Sequence, residues 1–141
     1  MNTRDLTKIE QANLEVVRGA GIPTVLLFVT STGLKKSIMD ATLPMRTLLA
    51  DAGVHNFGEQ AQGPENKRIV TGKILLNNRI EETGVSLYRP ITKNGDPRLW
   101  PSNFSRYANS GDVFVVVVAN RQLCFVNLTQ SNVSEAVKLS I

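Results

Sequence analysis

The order of patterns along the chain predicts an α+β fold, a mostly antiparallel, partly closed barrel with helices at its ends. Two helix-like segments surround one strand in the first half, and four strand-like runs fill the second. The 141 residues, 42% apolar and 20% charged, fit one domain, long enough to bury about two-thirds of its extended-chain surface. The longest apolar run, "VFVVVVA" at 113–119, has strand length and falls far short of the ~20 residues that span a bilayer.

Leu6, Ile9, Leu14 and Val17 recur near helical spacing, Thr7 is a capping residue, and "RGAGIP" at 18–23 ends the segment. "TVLLFVT" at 24–30 is β-branched and aromatic, a strand, and "STGLKKS" makes a polar turn after it. A second helix is expected over Ser37 to Ala52, kinked or divided at Pro44 and stopped by Gly53. "VHNFGEQAQGPENK" at 54–67 is too irregular for a regular element and reads as a loop. Strands follow at 68–77, 85–90, 112–119 and 122–128, the last two joined by a tight hairpin at "ANRQ" in which Asn120 tolerates positive φ. "SNFSRYA" at 102–108 fits a helical turn capped by Ser102, and the tail after 128 starts a connection or a last helix.

Lys and Arg exceed Asp and Glu by 16 to 12, a formal charge of +4. The excess is concentrated in "SLYRPITKNGDPRLWPSNFSRY" at 86–107, where Arg89, Lys93, Arg98 and Arg106 face one acid, Asp96. A stiff, basic segment of this kind favours a polyanion, most commonly nucleic acid. The single Cys124 excludes a disulfide within the chain and alternates with core positions. With no apolar signal segment at the amino terminus, the cytoplasm is the expected compartment, with no membrane partner.

Signatures of hydrolytic chemistry are sparse. No nucleophile elbow, Walker loop, HExxH or CxxC pair is present, and His55 is the lone imidazole, read as a loop histidine with one hydrogen bond. The sharpest catalytic candidate is "PENK", in which Glu65 and Lys67 with Asp40 or Asp51 echo the magnesium-dependent PD-(D/E)xK nucleases. That chemistry wants its lysine and carboxylates on rigid strands. Here Gly63 and Pro64 place the triplet in a loop, and the two aspartates fall in the expected second helix.

Binding has more support, because duplex readout uses Arg on guanine edges, Asn or Gln on adenine edges, and Lys, Ser and Thr on phosphates. Three loops carry these types: Ser31, Thr32, Lys35 and Lys36; Gln60, Gln62, Asn66, Lys67 and Arg68; and Arg89, Thr92, Lys93, Asn94 and Arg98. Lys35 and Lys36, placed at the start of a helix, would oppose its dipole, which favours an anionic partner. Trp100 is expected to anchor the third loop.

The stretches "TSTGLKKSIMDATLPMRTLLADAGVHNFGEQAQGPENK" and "VSLYRPITKNGDPRLWP" with the final hairpin resemble the amino-terminal region of long-form bacterial restriction endonucleases of the MvaI/BcnI type. By analogy with the effector domain of the EcoRII endonuclease, the resemblance implies a DNA-binding pseudobarrel like the plant "B-three" domain, seven-stranded, with two arms that grip the major groove. "TSTGLKKS" matches the first arm by order and "RPITKNGDPRLW" the second. A non-catalytic domain without cofactor or metal is implied, tethered covalently to a nuclease domain in a restriction-modification enzyme. Residues 1–22 would be an amino-terminal helix and linker, 23–128 the barrel, and 129–141 the connection to the nuclease. On that basis Arg89 and Arg98 are assigned to guanine edges, Asn94, Gln60 or Gln62 to other bases, and Lys35, Lys36, Lys67, Lys93 and Arg106 to phosphates. A faint likeness of residues 35–61 to EcoRII-type catalytic domains keeps the nuclease alternative open, as the Trp100 segment does a protein-interaction module.

Overall fold

The computed structural model describes residues 4–141, apart from the side chain of Lys93. Its elements are α1 (Lys8–Arg18), β1 (Val25–Phe28), α2 (Ser31–Lys36), β2 (Met39–Asp40), α3 (Leu43–Asp51), β3 (Arg68–Leu76), β4 (Arg79–Tyr88), β5 (Arg98–Pro101), β6 (Val113–Ala119), β7 (Gln122–Asn127) and α4 (Ser134–Ser140). The seven strands form one sheet in the order β1-β6-β7-β3-β4-β5-β2. Every neighbouring pair is antiparallel except β3 with β7.

One buried cluster draws a side chain from every strand: Leu27, Met39, Ile74, Leu87, Leu99, Phe114 and Phe125. Because it includes both edge strands, β1 and β2, the sheet curls around it into a half-barrel. Met45, Leu48 and Leu49 of α3 join the same cluster. On the outer face, the alternate residues Val113, Val115 and Val117 of β6 and Val126 of β7 pack under Leu14 and Val17 of α1 and Val133, Ala136 and Val137 at α4. The period-two alternation of a strand thus feeds two cores from the run "VFVVVVA". Cys124 is buried in the outer one, where burial pushes its thiol pKa up.

The first helix begins as its sequence dictates, with Thr7 and Glu10 capping each other reciprocally. Glu10 is fully buried and is satisfied by more than the cap. The Arg4 guanidinium bonds both its oxygens, at 2.7 and 2.6 Å, and the Thr129 hydroxyl donates to Oε2 at 2.6 Å. Arg4 above all, with Thr129 and the Thr7 amide, holds the carboxyl at about 2 against the cost of its burial. Arg4 also donates to the Gly111 carbonyl, so this ion pair fastens α1 to the start of β6.

The expected helix over residues 37–52 is corrected. The chain makes a separate helix at Ser31–Lys36, turns through Ser37 in the left-handed region at φ 55°, and pairs Met39 and Asp40 with β5. Only then does α3 start, capped by the Thr42 side chain. Pro44 lies in its first turn, where a missing N–H removes no helical bond, so there is no kink to explain. The expected strand at 85–90 begins earlier, at Arg79, because Asn77 and Asn78 both adopt positive φ and close a two-residue hairpin. The "ANRQ" hairpin turns as expected, with Asn120 at φ 53° and Arg121 at φ 63°. The turn after β5 covers Phe104–Arg106; its cap is Asn103, with no side-chain hydrogen bond, and not Ser102.

Gly72 sits where β3 meets both β4 and β7. A Cβ there would stand 2.8 Å from Val85 Cγ2 and 3.0 Å from the Leu123 carbonyl, so the parallel ladder needs a glycine at this point. Gly72→Ala is expected to lower unfolding stability by about 1–3 kcal/mol in denaturant titration. Gly21→Ala, with nothing within 4 Å, separates backbone strain from crowding, because only strain acts there.

Candidate nucleic-acid interface

Strands β2 and β5 share a ladder of two residue pairs, Met39 with Leu99 and Asp40 with Arg98, extended by the Ala41 amide on the Pro97 carbonyl. The connection through α2 enters β2 at one end of this ladder, and the 89–97 loop enters β5 at the other. The two loops singled out from the sequence therefore bracket a strip roughly 10 Å long, at about 3.3 Å per residue. They do so along the edge where the sheet stops short of closing. There a cleft of about 440 Å³ is lined by Leu26 and Phe28 of β1, Thr32 and Lys36 of α2, Asp40 of β2 and Arg98 of β5.

Around this strip Ser31, Thr32, Lys35, Lys36, Thr92 and Asn94 are exposed. Lys35 and Lys36 occupy the last turn of α2, not the start of a helix. The expected conflict with the helix dipole is absent, and their charges favour that end. Asn94 sits at the tip of the second loop in the left-handed region, φ 58°, a conformation that asparagine tolerates. Arg98 is half-buried, and its Nε is shielded from solvent without a hydrogen-bond partner. The side chain of Lys93 lies outside the described part of the chain.

Other predicted residues are engaged in holding the loops. Arg89 donates from Nε to the Gly95 carbonyl at 2.9 Å and from Nη1 to those of Gln60 and Phe57 at 3.0 and 3.3 Å, while its own carbonyl accepts from Gly63. One guanidinium thus ties the 89–97 loop to the 57–63 loop, which occupies the Nε and Nη1 of a residue assigned from the sequence to a guanine edge. Gln60 is used in the same way: its amide donates to the Asn66 and Leu87 carbonyls and its oxygen meets His55 Nε2 at 3.0 Å. Gln62, although exposed, lies on Gly95, where any Cβ would run into its amide. Asn66 bonds back to the Gln62 carbonyl, and the Lys67 ammonium stands 5.6 Å from the centre of the Tyr88 ring. Trp100 is an anchor, edge-on to Phe104 at 5.3 Å. Arg106 ends the turn that follows β5 and is exposed.

The carboxylates of the nuclease alternative are dispersed. Glu65 folds back over Gly63, Asp40 is on a strand where a helix was expected, and Asp51 is on α3. Among the described residues, no three His, Cys, Asp or Glu side chains gather in a way that could hold a metal ion. Comparison with protein-family models, with curated proteins and with solved structures finds no match for this chain.

His55 has two side-chain partners where one was expected: Gln60 at Nε2 and the Arg68 guanidinium at Nδ1, 3.2 Å away. It is buried, edge-on to Phe57, and Arg68 also donates to the Val54 carbonyl. A guanidinium at Nδ1 requires that nitrogen to accept, which leaves the proton on Nε2 for Gln60. Burial foremost, opposed by the Gln60 bond and aided by the Arg68 charge, depresses the imidazole pKa. The folded protein therefore resists a proton that the unfolded chain takes up near pH 6.5. Stability contributed by neutral His55 is complete above that pH and is lost as pH falls through 6.5 toward the depressed folded value. Thermal unfolding between pH 7.5 and 5.5 should lose stability on the acid side in the native protein, and this slope should flatten in His55→Gln. An unchanged slope in the variant would place the titration elsewhere.

Proposed function

We propose that this chain is a sequence-specific double-stranded DNA-binding domain, of the effector or tethering kind found in restriction endonucleases, working without cofactor or catalytic residues of its own. The observation that carries the proposal is the placement of Arg98: a half-buried guanidinium on β5, lining the edge cleft with Lys36 and bracketed by two loops rich in cations and amides. A guanine edge supplies two acceptors, O6 and N7, to one guanidinium.

The spacing supports the same partner. Loops about 10 Å apart match the scale of a major groove about 12 Å wide, so each reaches one wall while Arg98 faces the floor. Asn94, at the tip of one loop, is placed for a second base edge, and Thr92, Ser31, Thr32, Lys35 and Lys36 for phosphates. Lys67 extends the phosphate contacts on the side of the second loop. Arg89, Gln60 and Trp100 contribute by bracing: a loop already fixed by hydrogen bonds loses less entropy on binding. A curled seven-stranded sheet is also what the resemblance to "B-three"-like pseudobarrels leads one to expect, and the net charge of +4 is in keeping with a polyanionic ligand. By the same resemblance the partner within a restriction enzyme is a covalently linked nuclease domain.

Anisotropy titrations of the protein against its preferred duplex and random duplexes, at several salt concentrations, test the assignment. Arg98→Ala should lose roughly 1–3 kcal/mol on the preferred site and relax discrimination at one position. Lys36→Ala should weaken all sequences alike and reduce the salt slope by about one. Equal losses on preferred and random duplexes for both variants would remove the division between base and phosphate contacts, and absence of salt-sensitive binding would reject DNA as the ligand.

A further inference from the structure

A second arginine repeats the peculiarity of Arg98. Arg46, in the first turns of α3, also has its Nε buried with no hydrogen-bond partner, and neither guanidinium takes part in an ion pair among the described residues. The two stand on opposite sides of the junction where the Ala41 amide meets the Pro97 carbonyl: Arg98 lines the edge cleft, and Arg46 lines a different one. This second cleft, about 510 Å³, lies between α3, the turn at Asn56–Gly58 and the second loop, with Arg89, Asn94 and Asp96 on its walls. The motif "LPMRTLL" gives no hint of it, because one polar residue on an amphipathic helix ordinarily faces water.

Position decides what the cleft receives. Arg46 stands on α3 behind the 89–97 loop, outside the strip assigned to the groove floor, so the part of a bound duplex nearest to it is the sugar-phosphate backbone. We infer that Arg46 binds a backbone phosphate of the strand that passes between α3 and the second loop. Arg89 adds positive charge but not its Nε or Nη1, which are occupied by loop carbonyls. Asp51 and Asp96, also on the walls, oppose the anion, and the charges of Arg46 and Arg89 offset them. The assignment rests on the DNA-binding reading and adds a contact on α3, outside both loops.

Three variants and one ligand-free control test it. In duplex titrations, Arg46→Gln should lose tenfold or more in affinity, equally on preferred and random sequences, with the salt slope reduced by about one. Arg46→Lys should retain the slope, since it keeps the charge. Asp96→Asn should bind every duplex more tightly. Amide exchange of Arg46→Gln without DNA establishes that α3 remains folded. Loss confined to the preferred sequence would overturn the phosphate assignment in favour of a base contact, and unchanged affinity and slope would remove Arg46 from the interface. The Arg46 Nε–H resonance, followed during addition of inorganic phosphate at low salt, separates the two proposals. A shift in a protein that binds no duplex keeps the anion site while DNA fails. A bound duplex that leaves this resonance unmoved keeps DNA binding while the Arg46 site fails.

Discussion

The parallel pairing of β3 with β7, Gly72 opposite Leu123 through Leu75 opposite Val126, joins two antiparallel blocks, β1-β6-β7 on one side and β3-β4-β5-β2 on the other. Parallel neighbours cannot be linked by a hairpin. The 45 residues from 77 to 121 must therefore leave β3, build β4, β5 and β6, and return before β7 can be laid down. Gly72 permits the close approach of Val85 and Leu123 on which this joint depends. Once β7 is seated, its partner β6 fixes β1, and the curl of the sheet brings β1 toward β2 across an unclosed edge. The cleft holding Arg98 and Lys36 exists because the joint sets the distance between those edges.

A second set of constraints acts on the loops. Residues 54–67 contain little regular structure, yet His55 bonds both Gln60 and Arg68, and Arg89 links the Gln60 carbonyl to that of Gly95. Sequence composition suggested that this polar cluster was there to meet a ligand. Much of it meets its own backbone, satisfying carbonyls that no sheet or helix covers. The side chains left to face a partner are fewer and more exposed: Lys35, Lys36, Thr92 and Asn94, with the half-buried Arg98 between them. A guanidinium has five donors: Arg89 uses its Nε and Nη1 to brace loops, whereas the Nε of Arg98 has no partner.

The elements legible in the sequence were those with strong periodicity or punctuation. The Thr7 cap with its helix, the β6–β7 hairpin at Asn120 and the long strand after Arg68 all lie where local pattern placed them. Strands β2 and β5 did not show, because two and four residues are too short to display alternation and are strands only by virtue of each other. The hairpin at Asn77–Asn78 lacks the glycine that usually marks such a turn. At the candidate site, residue type singled out polar loops but could not tell a guanidinium without partners from one bound to three carbonyls. That distinction depends on loops far apart in sequence, Phe57 and Gln60 against Arg89 and Gly95.

The account stands on the claim that the strip between α2 and the 89–97 loop meets duplex DNA. Backbone amide resonances of the labelled protein, followed during titration with a duplex at low salt, test this most directly. The result expected is a continuous set of shifted or broadened signals over residues 31–40 and 92–98, reversed at high salt, with the α1 and α4 face unchanged. Perturbation centred on α1 and α4 with a silent strip, or no perturbation at all, would contradict it.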